Sequence, residues 1–293
     1  MRRPLNWQRC LAWAVLGGLV VVTLFPFYWM LRIALSDNSS LAAHAGSFLP
    51  SNITLGAFRR VLGLASAAEI EAQGGSGASI HFWRYLVNSV LTSTVITVGQ
   101  VLFSAAAAYA FSRLRWVGRD KVFLLFLTAL MIPPIFIALP NFVTIKNLGL
   151  LNTYAGIVAP FVLMSPFALF FLRQFFLGLS REVEEAAKID GAGHLRIFFG
   201  IVLPANAAPV ATLALLVYIT AWNEYLWPLL VGADEKVRVL TVALGIFRSQ
   251  TPQGGPDWSG LMAATLLAAS PIVVLFLVFG RRIVNSIQFT GFR

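Results

Sequence analysis

SREVEEAAKIDGAGHLRIFFGIVLP, residues 180–204, is a charged stretch between two long apolar segments of a mostly apolar chain. Ser180 can cap a helix N-terminus, where the acidic residues that follow it are also favourable. Gly191 and Gly193 supply a backbone that tolerates the left-handed conformation at a helix end and in a turn. Pro204 would end a second short helix. The stretch predicts a helix–turn–helix hairpin, compact and charged enough to dock on a soluble partner.

Acidic and basic residues share the first of these two helices. Glu184 and Lys188 are four residues apart, which predicts a modestly stabilising pair on one helix face. Two interpretations of Arg181, Glu184 and Lys188 stay open at this point. Either they form a face exposed to solvent, or they contact the docking partner directly.

Composition places the chain in the membrane class. Of its 293 residues, 58% are hydrophobic and only 12% are charged, and the mean hydropathy is +0.78. A soluble domain of this size needs a more charged surface. The net charge of +10 could suggest nucleic acid, but no basic cluster is interleaved with aromatic residues as a nucleic-acid groove requires. Basic residues at membrane borders explain the charge better, so we expect no nucleic-acid partner.

Six apolar segments are each long enough to cross the hydrocarbon core of a bilayer, which takes about 20 helical residues. They cover about residues 11–31, 86–111, 122–145, 154–177, 207–230 and 261–280. The first is longer than the apolar region of a signal peptide, so we expect it to remain as a span. The segments predict an all-α, polytopic membrane protein with six transmembrane helices, forming a single transmembrane domain over residues 1–293.

Two connections between these segments are polar. Residues 36–83 form a long extramembrane loop, and the 180–204 hairpin connects the fourth segment to the fifth. Six spans place both termini on one side, and short cytoplasmic loops are enriched in lysine and arginine. With the termini inside, 14 of the 22 basic residues are inside and eight are outside. We therefore expect cytoplasmic termini, a cytoplasmic hairpin and an extracytoplasmic loop.

Small residues and prolines interrupt the apolar segments. The second segment carries Ser104 and the alanine run 105–108, which predicts close packing inside a helix bundle. The third contains Pro133, Pro134 and Pro140. Prolines inside a span break its hydrogen-bond ladder, so they indicate either a simple kink or a bend that lines a pathway.

The chain lacks the residue patterns of enzymes and metal sites. Cys10 is the only cysteine, and the three histidines have no ligand-like spacing. No GxxxxGK[ST] or GxSxG motif occurs, and no carboxylate pair lies close in sequence within a span. We expect no catalytic residue, no cofactor and no metal. If the chain moves a solute uphill, the energy must enter through a partner.

The hairpin contains a motif of fixed spacing: EAA, three residues, G, nine residues, I, one residue, LP. Its members are Glu185, Ala186, Ala187, Gly191, Ile201, Leu203 and Pro204. The pattern resembles the EAA signature of the membrane subunits of bacterial ABC importers. Further motifs extend the resemblance, over most of the chain, to the six-span permease of the maltose-type carbohydrate uptake family. These are Asn88-Ser89, the run 105–113 (AAAAYAFSR), Trp222-Asn223-Glu224-Tyr225 and Thr290-Gly291.

The resemblance implies a set of partners in the bacterial inner membrane. They are a second, homologous permease subunit, a dimeric cytoplasmic P-loop ATPase and an extracytoplasmic solute-binding protein. It also implies that the first hairpin helix docks in a cleft of the ATPase and transmits its ATP-driven closure. The residues implied in this coupling are Glu185, Ala186, Ala187, Asp190, Gly191 and Gly193.

Polar and aromatic residues near one end of the fifth segment are candidates for a substrate pathway. Asn223 and Glu224 lie where an ionisable group is costly and usually has a partner or a cavity. Trp222 and Tyr225 could stack on a sugar ring. The competing interpretation is an interfacial aromatic belt with an asparagine that packs between helices.

Three functional hypotheses follow. The first is a permease subunit of an ABC importer for a sugar or related polyol, without an ATPase site of its own. The second is import of another solute by the same kind of subunit, such as glycerol phosphate or an amino acid. The third is a stand-alone channel or secondary transporter, which would work without ATP. Co-purification with an ATPase separates the third from the others.

Overall fold

The computed structural model describes residues 7–41, 43–44, 46–75, 81–249 and 256–288, without the side chains of residues 279 and 281–288. Helices, turns and irregular segments make up these ranges, and no strand occurs in them. The chain divides into two compact units, Met1–Trp83 with Ala243–Ser270, and Arg84–Val242 with Pro271–Arg293. The all-α prediction is confirmed.

The helices are numbered along the chain. The first group is α1 Trp7–Ala34, α2 Gly56–Val61, α3 Ala67–Ala72, α4 Phe82–Arg113 and α5 Arg119–Ala129. The next is α6 Pro134–Asn147, α7 Tyr154–Val158, α8 Pro166–Leu177, α9 Arg181–Ile189 and α10 His194–Ile197. The last is α11 Leu203–Ala205, α12 Ala207–Asn223, α13 Leu226–Val231, α14 Leu240–Ser249 and α15 Trp258–Gln288.

The first unit contains the predicted 36–83 loop, and the described part of this loop includes the helices α2 and α3. A capping box at Ser66 and Glu69 begins its helix α3. The side chain of Arg60 is 7% exposed and lies 3.1 Å from the Asp257 carboxylate. It also donates to Gln73 Oε1 at 2.7 Å. A buried arginine with carboxylate and amide partners joins the loop to the start of α15.

The core of the second unit forms where α4 packs against α8 and α12. Ser104, Ala105 and Ala108 on α4 are fully buried, as their small size predicts. At Gly99 a Cβ atom would lie 2.7 Å from the Val162 carbonyl oxygen. Glycine therefore permits a close approach of α4 to the irregular segment between α7 and α8.

Three predicted spans are broken rather than continuous. Helices α5 and α6 meet at an angle of 98°, at Pro133 and Pro134. The fourth segment consists of α7 and α8 with an irregular stretch between them, and Ser165 and Pro166 begin α8. The fifth stops at Asn223 and resumes as α13. Hydropathy measures the length of an apolar run, whereas prolines and caps decide where its backbone ladder is interrupted.

The number of helices that could cross a membrane is smaller in the described residues than the predicted six. Among the described residues, three helices are long and apolar enough to cross a membrane: α1, α4 and α15 up to Val278. Counting each bent pair as one span raises the number to five. Helix α8 is apolar but has only 12 residues. The span boundaries and the count of six stay predictions.

Asn88 and Ser89 connect the start of α4 by hydrogen bonds to the segment before α14. The Asn88 amide donates to the carbonyls of Lys236 at 3.0 Å and Arg238 at 2.9 Å. Its oxygen accepts from the Tyr154 hydroxyl at 2.8 Å. Ser89 Oγ accepts the Leu240 backbone N–H at 2.8 Å. Both side chains are buried, so these bonds satisfy backbone groups that water does not reach.

Asn88→Ala is expected to lower the free energy of unfolding by about 2–3 kcal/mol, since it leaves buried carbonyls without their donor. Tyr154→Phe, which removes one hydroxyl from the same network, should cost about 1 kcal/mol. Thermal unfolding of the purified chain in detergent checks both values. Equal losses in the two variants would contradict this role of Asn88.

Candidate functional site

The 180–204 hairpin has the predicted helix–turn–helix form. Ser180 begins α9, and its hydroxyl accepts the Glu182 N–H at 3.3 Å. Helix α9 ends before Gly191, whose φ is +80°. That left-handed conformation favours glycine at the turn into α10. The cap and the turn residue are both where the sequence places them.

Two details of the hairpin were predicted wrongly. Gly193 has φ −74° and ψ 165°, an extended conformation that any residue can adopt. Pro204 does not end the second helix. The chain continues from α10 through a wide π-helical turn, Phe198–Val202, and into α11. Pro204 lies in the last turn of the continuous stretch His194–Ala205, and the bend of 82° comes after Ala205.

A buried ion pair fixes the first hairpin helix to the end of α4. Arg113 Nε lies 3.0 Å from Glu184 Oε1, and the two side chains are 4% and 5% exposed. The contact is ionic, without regular hydrogen-bond geometry at these two atoms. Arg113 also donates to the carbonyl oxygens of Phe176 and Leu179. One guanidinium therefore ties together α4, the end of α8 and the start of the hairpin.

This ion pair corrects the predicted charge pattern of α9. Glu184 pairs with Arg113 instead of Lys188, and it is buried rather than exposed. Arg181 and Lys188 are exposed. The i,i+4 rule describes an isolated helix, but burial against α4 gives Glu184 a stronger partner. The sequence does not predict Arg113 as this partner. The only signal was its place in the basic cluster after the second span.

The opposite side of the hairpin is free to contact another molecule. Glu185, Ala186 and Asp190 are exposed, and Ala187 is half-buried against the core of the second unit. Ile189 is 87% exposed. A surface that combines a carboxylate, small alanines and an unburied isoleucine suits docking into a groove.

Broken helices surround two cavities in the second unit. The larger has a volume of 390 Å³, and its polar lining residues are Gln100, Ser165, Thr220 and Glu224. The smaller has a volume of 250 Å³ and is lined by Asn141, Trp227 and apolar residues. Pro134, Phe161 and Glu224 line both. The proline bend between α5 and α6 thus forms part of the wall of both cavities, rather than being a kink alone.

Glu224 is the charged group of these cavities. Among the residues lining either one, it alone carries a formal charge. It follows the last residue of α12 with an extended backbone, and its Oε1 accepts the Trp227 N–H at 3.1 Å. Its carbonyl accepts from Thr241 Oγ1 at 2.8 Å. The break between α12 and α13 therefore holds this carboxylate against the cavities.

The other three candidate pathway residues do not line these two cavities. Asn223 is exposed, and its amide donates to the Ile219 carbonyl of its own helix at 2.8 Å. Trp222 is 5% exposed and stacks on Tyr218 with ring centroids 6.0 Å apart. Tyr225 is exposed. Sequence reasoning missed Gln100, Ser165 and Thr220, which are single polar residues in separate apolar segments.

Comparisons with known proteins agree with the hairpin and the fold. Residues 100–288 match the family described as binding-protein-dependent transport system inner membrane component. The trehalose/maltose transport system permease protein MalG of Thermococcus litoralis is 31% identical over 93% of each chain. The sn-glycerol-3-phosphate transport system permease protein UgpE of Shigella flexneri is 34% identical over 92% of each chain.

Two further similarities complete these findings. The arabinooligosaccharides transport system permease protein AraQ of Halalkalibacterium halodurans is 37% identical, over 72% of this chain and 74% of its own. A solved chain of a bacterial ABC transporter involved in the import of the acidic polysaccharide alginate shares the fold, with a TM-score of 0.79 and 22% identity. It covers 96% of this chain and 98% of that chain.

An EAA-type hairpin on a bundle of broken apolar helices defines the membrane component of an ABC importer. The chain belongs to the family of binding-protein-dependent transport system inner membrane components, and it is a multi-pass permease subunit.

Proposed function

We propose that this permease subunit imports a sugar or related polyol that an extracytoplasmic binding protein delivers. The observation that carries the cargo class is the pair of cavities lined by Glu224 and uncharged polar groups. Hydroxyl groups of a sugar can donate to a carboxylate and exchange hydrogen bonds with amide and hydroxyl side chains. Two of the relatives are named for trehalose/maltose and arabinooligosaccharides.

Glycerol phosphate is the second candidate, because a relative of 34% identity is named for it. A phosphate needs arginine, lysine or a helix N-terminus as its partner. The lining residues of both cavities include a carboxylate and no basic side chain. Repulsion between like charges at close range disfavours an anionic cargo here, so the neutral polyol is the better match.

The energy comes from partners in this proposal. The chain pairs with a second, homologous permease, and a dimeric cytoplasmic P-loop ATPase hydrolyses ATP. The exposed residues of α9, Glu185 and Ala186, contact that ATPase. The exposed turn residues Asp190, Gly191 and Gly193 lie beside this contact. Both termini and the hairpin are cytoplasmic, in the inner membrane of a bacterium.

Glu224→Gln tests the cargo site. The amide retains the acceptor for the Trp227 N–H but removes the charge, and charge-assisted hydrogen bonds are about twice as strong as neutral ones. We expect binding-protein-dependent sugar uptake to fall about tenfold, which is about 1.4 kcal/mol. The control is Asn223→Ala, whose side chain bonds within its own helix and should leave uptake near normal. Unchanged uptake in Glu224→Gln would remove Glu224 from the cargo path.

Co-purification tests the partnership separately. An affinity-tagged chain expressed from its native locus should bring with it, per copy, one second permease and two subunits of a P-loop ATPase. Uptake by membrane vesicles should require both ATP and the binding protein. Uptake that persists without ATP would instead favour a stand-alone transporter.

A further inference from the structure

A basic cavity beside the hairpin shares no lining residue with the two cargo cavities and shares only Arg181 with α9. It lies between the loop that connects α4 to α5 and the first residue of α9, and its volume is 390 Å³. The charged and aromatic residues that line it are Arg115, Trp116, Arg119, Asp120, Lys121 and Arg181. Four of these six side chains are cationic and one is anionic.

The single carboxylate in this cavity is neutralised locally. Asp120 Oδ1 lies 3.0 Å from Arg119 Nε. The hydrogen bond from that guanidinium holds the pKa of the Asp120 carboxyl below its usual value, so the group remains ionised and compensates Arg119. Arg115, Lys121 and Arg181 form no ion pair within the described part of the chain. Three uncompensated cations around one cavity attract an anion.

A second cavity continues the basic surface along the hairpin. It has a volume of 620 Å³, shares Arg115 and Arg181 with the first, and adds Lys188. It has two acidic residues, Glu184, which the buried pair with Arg113 neutralises, and Glu185, which leaves Arg115, Arg181 and Lys188 in excess over one free carboxylate. The space beside the cations is therefore large enough for a bulky anion.

The apolar neighbours of these cations point to the membrane border. Val117 is fully exposed and Trp116 is 41% exposed, although both follow the end of a long apolar helix. Trp116 also packs edge-on against Phe111, with ring centroids 5.4 Å apart. Tryptophan and basic residues are enriched together where membrane helices leave the bilayer. A site for a free anion would not need an exposed valine and tryptophan beside it.

We propose that this cavity binds the headgroup of an anionic phospholipid from the cytoplasmic leaflet. Arg115, Lys121 and Arg181 contact the phosphate, and Trp116 and Val117 contact the acyl region. The proposal rests on the proposed function in one respect, the cytoplasmic placement of the hairpin. Because Arg181 begins α9, the lipid would join the first turn of the hairpin to the membrane border.

Quenching of Trp116 fluorescence measures this binding in the purified complex of the permeases and the ATPase. The complex is titrated in neutral detergent with brominated phosphatidylglycerol or brominated phosphatidylcholine. The difference between the wild-type complex and Trp116→Phe isolates the signal of this residue. We expect phosphatidylglycerol to quench at a lower mole fraction than phosphatidylcholine. Each basic residue removed should weaken this preference by about fivefold, since one charge contributes about 1 kcal/mol near an anionic surface.

The variant that removes two cations is Arg115→Gln/Lys121→Gln, which leaves the hairpin unchanged. Its matched control is Arg196→Gln/Lys146→Gln, which removes one arginine and one lysine that do not line these cavities. We expect the first to lose the lipid preference and the second to keep it. A lipid preference that survives in the first variant overturns the proposal.

Two further outcomes would each identify another occupant of the basic cavity and would overturn the lipid proposal. Displacement of the lipid by inorganic phosphate, but not by chloride at equal ionic strength, would assign the site to a free phosphate. Loss of the ATPase from the Arg115→Gln/Lys121→Gln complex would assign the cations to the ATPase surface. Equal quenching by the two lipids in a complex that retains its ATPase would reject the lipid and leave the proposed import function intact.

Discussion

Arg113→Met is expected to lower the free energy of unfolding by about 3–5 kcal/mol, because it leaves the buried Glu184 carboxylate without its cation. The same change removes the donor from the carbonyls of Phe176 and Leu179. Without these contacts, α9 is no longer fixed to α4. We therefore also expect uptake per ATP hydrolysed to fall by tenfold or more in any complex that assembles.

Stability and coupling can be separated at this pair. In Arg113→Met/Glu184→Met the buried charge is gone, and apolar replacement of a buried pair is often neutral for stability. We expect the double variant to recover at least half of the stability lost by Arg113→Met. Arg115→Met is the control, since that exposed arginine has no ion pair in the described ranges and should cost less than about 0.5 kcal/mol. If the stability lost by the double variant equals the sum of the losses in Arg113→Met and Glu184→Met, then Arg113 and Glu184 act independently.

Gly191→Val is expected to uncouple ATP hydrolysis from uptake while the complex still reaches the membrane. The φ of +80° is strained for a β-branched residue. No heavy atom lies within 4 Å of the position that a Cβ would take, so the effect comes from the backbone and not from a clash. The turn must change its path, which displaces α9 relative to α10. Uptake by vesicles at a matched rate of ATP hydrolysis should fall by tenfold or more.

Two controls belong with the Gly191 experiment. Gly191→Asn should retain most coupling, because asparagine tolerates the left-handed conformation. Gly193→Ala should have little effect on the turn, because φ is −74° there and a Cβ would meet no atom. Normal uptake by Gly191→Val would exclude a need for this turn in coupling.

Local features of the hairpin and of the bend between α5 and α6 could be predicted from the sequence because they depend on neighbouring residues. The Ser180 cap, the turn at Gly191 and the bend at Pro133-Pro134 all follow from backbone chemistry within a few residues. The partner of Glu184 could not be predicted in this way. Its pairing depends on which helix lies beside α9, and the arginine that fulfils it is 71 residues away in the sequence.

The cavities show the same difference between local features, which the sequence predicts, and contacts that depend on the fold. An ionisable residue in an apolar segment suggested a partner or a cavity, and Glu224 lines both cargo cavities, whereas Trp222, Asn223 and Tyr225 line neither of these two. Asn223 still belongs to α12 and bonds to its own helix, whereas Glu224 lies just beyond the helix end. A sequence window treats the four residues 222–225 as one group. The helix end separates them.

The π-helical turn and the 82° bend after the hairpin have a mechanical consequence. A regular helix transmits torque along its axis, but a widened turn followed by a sharp bend is torsionally compliant. We therefore expect a movement of the hairpin to be transmitted only weakly along the chain into α12. We expect stronger transmission through the Arg113–Glu184 contact into α4, which also contributes Gln100 to the larger cavity. Distances between paired spin labels, measured for one pair on α4 and one pair on α12 during the ATPase cycle, should change first on α4.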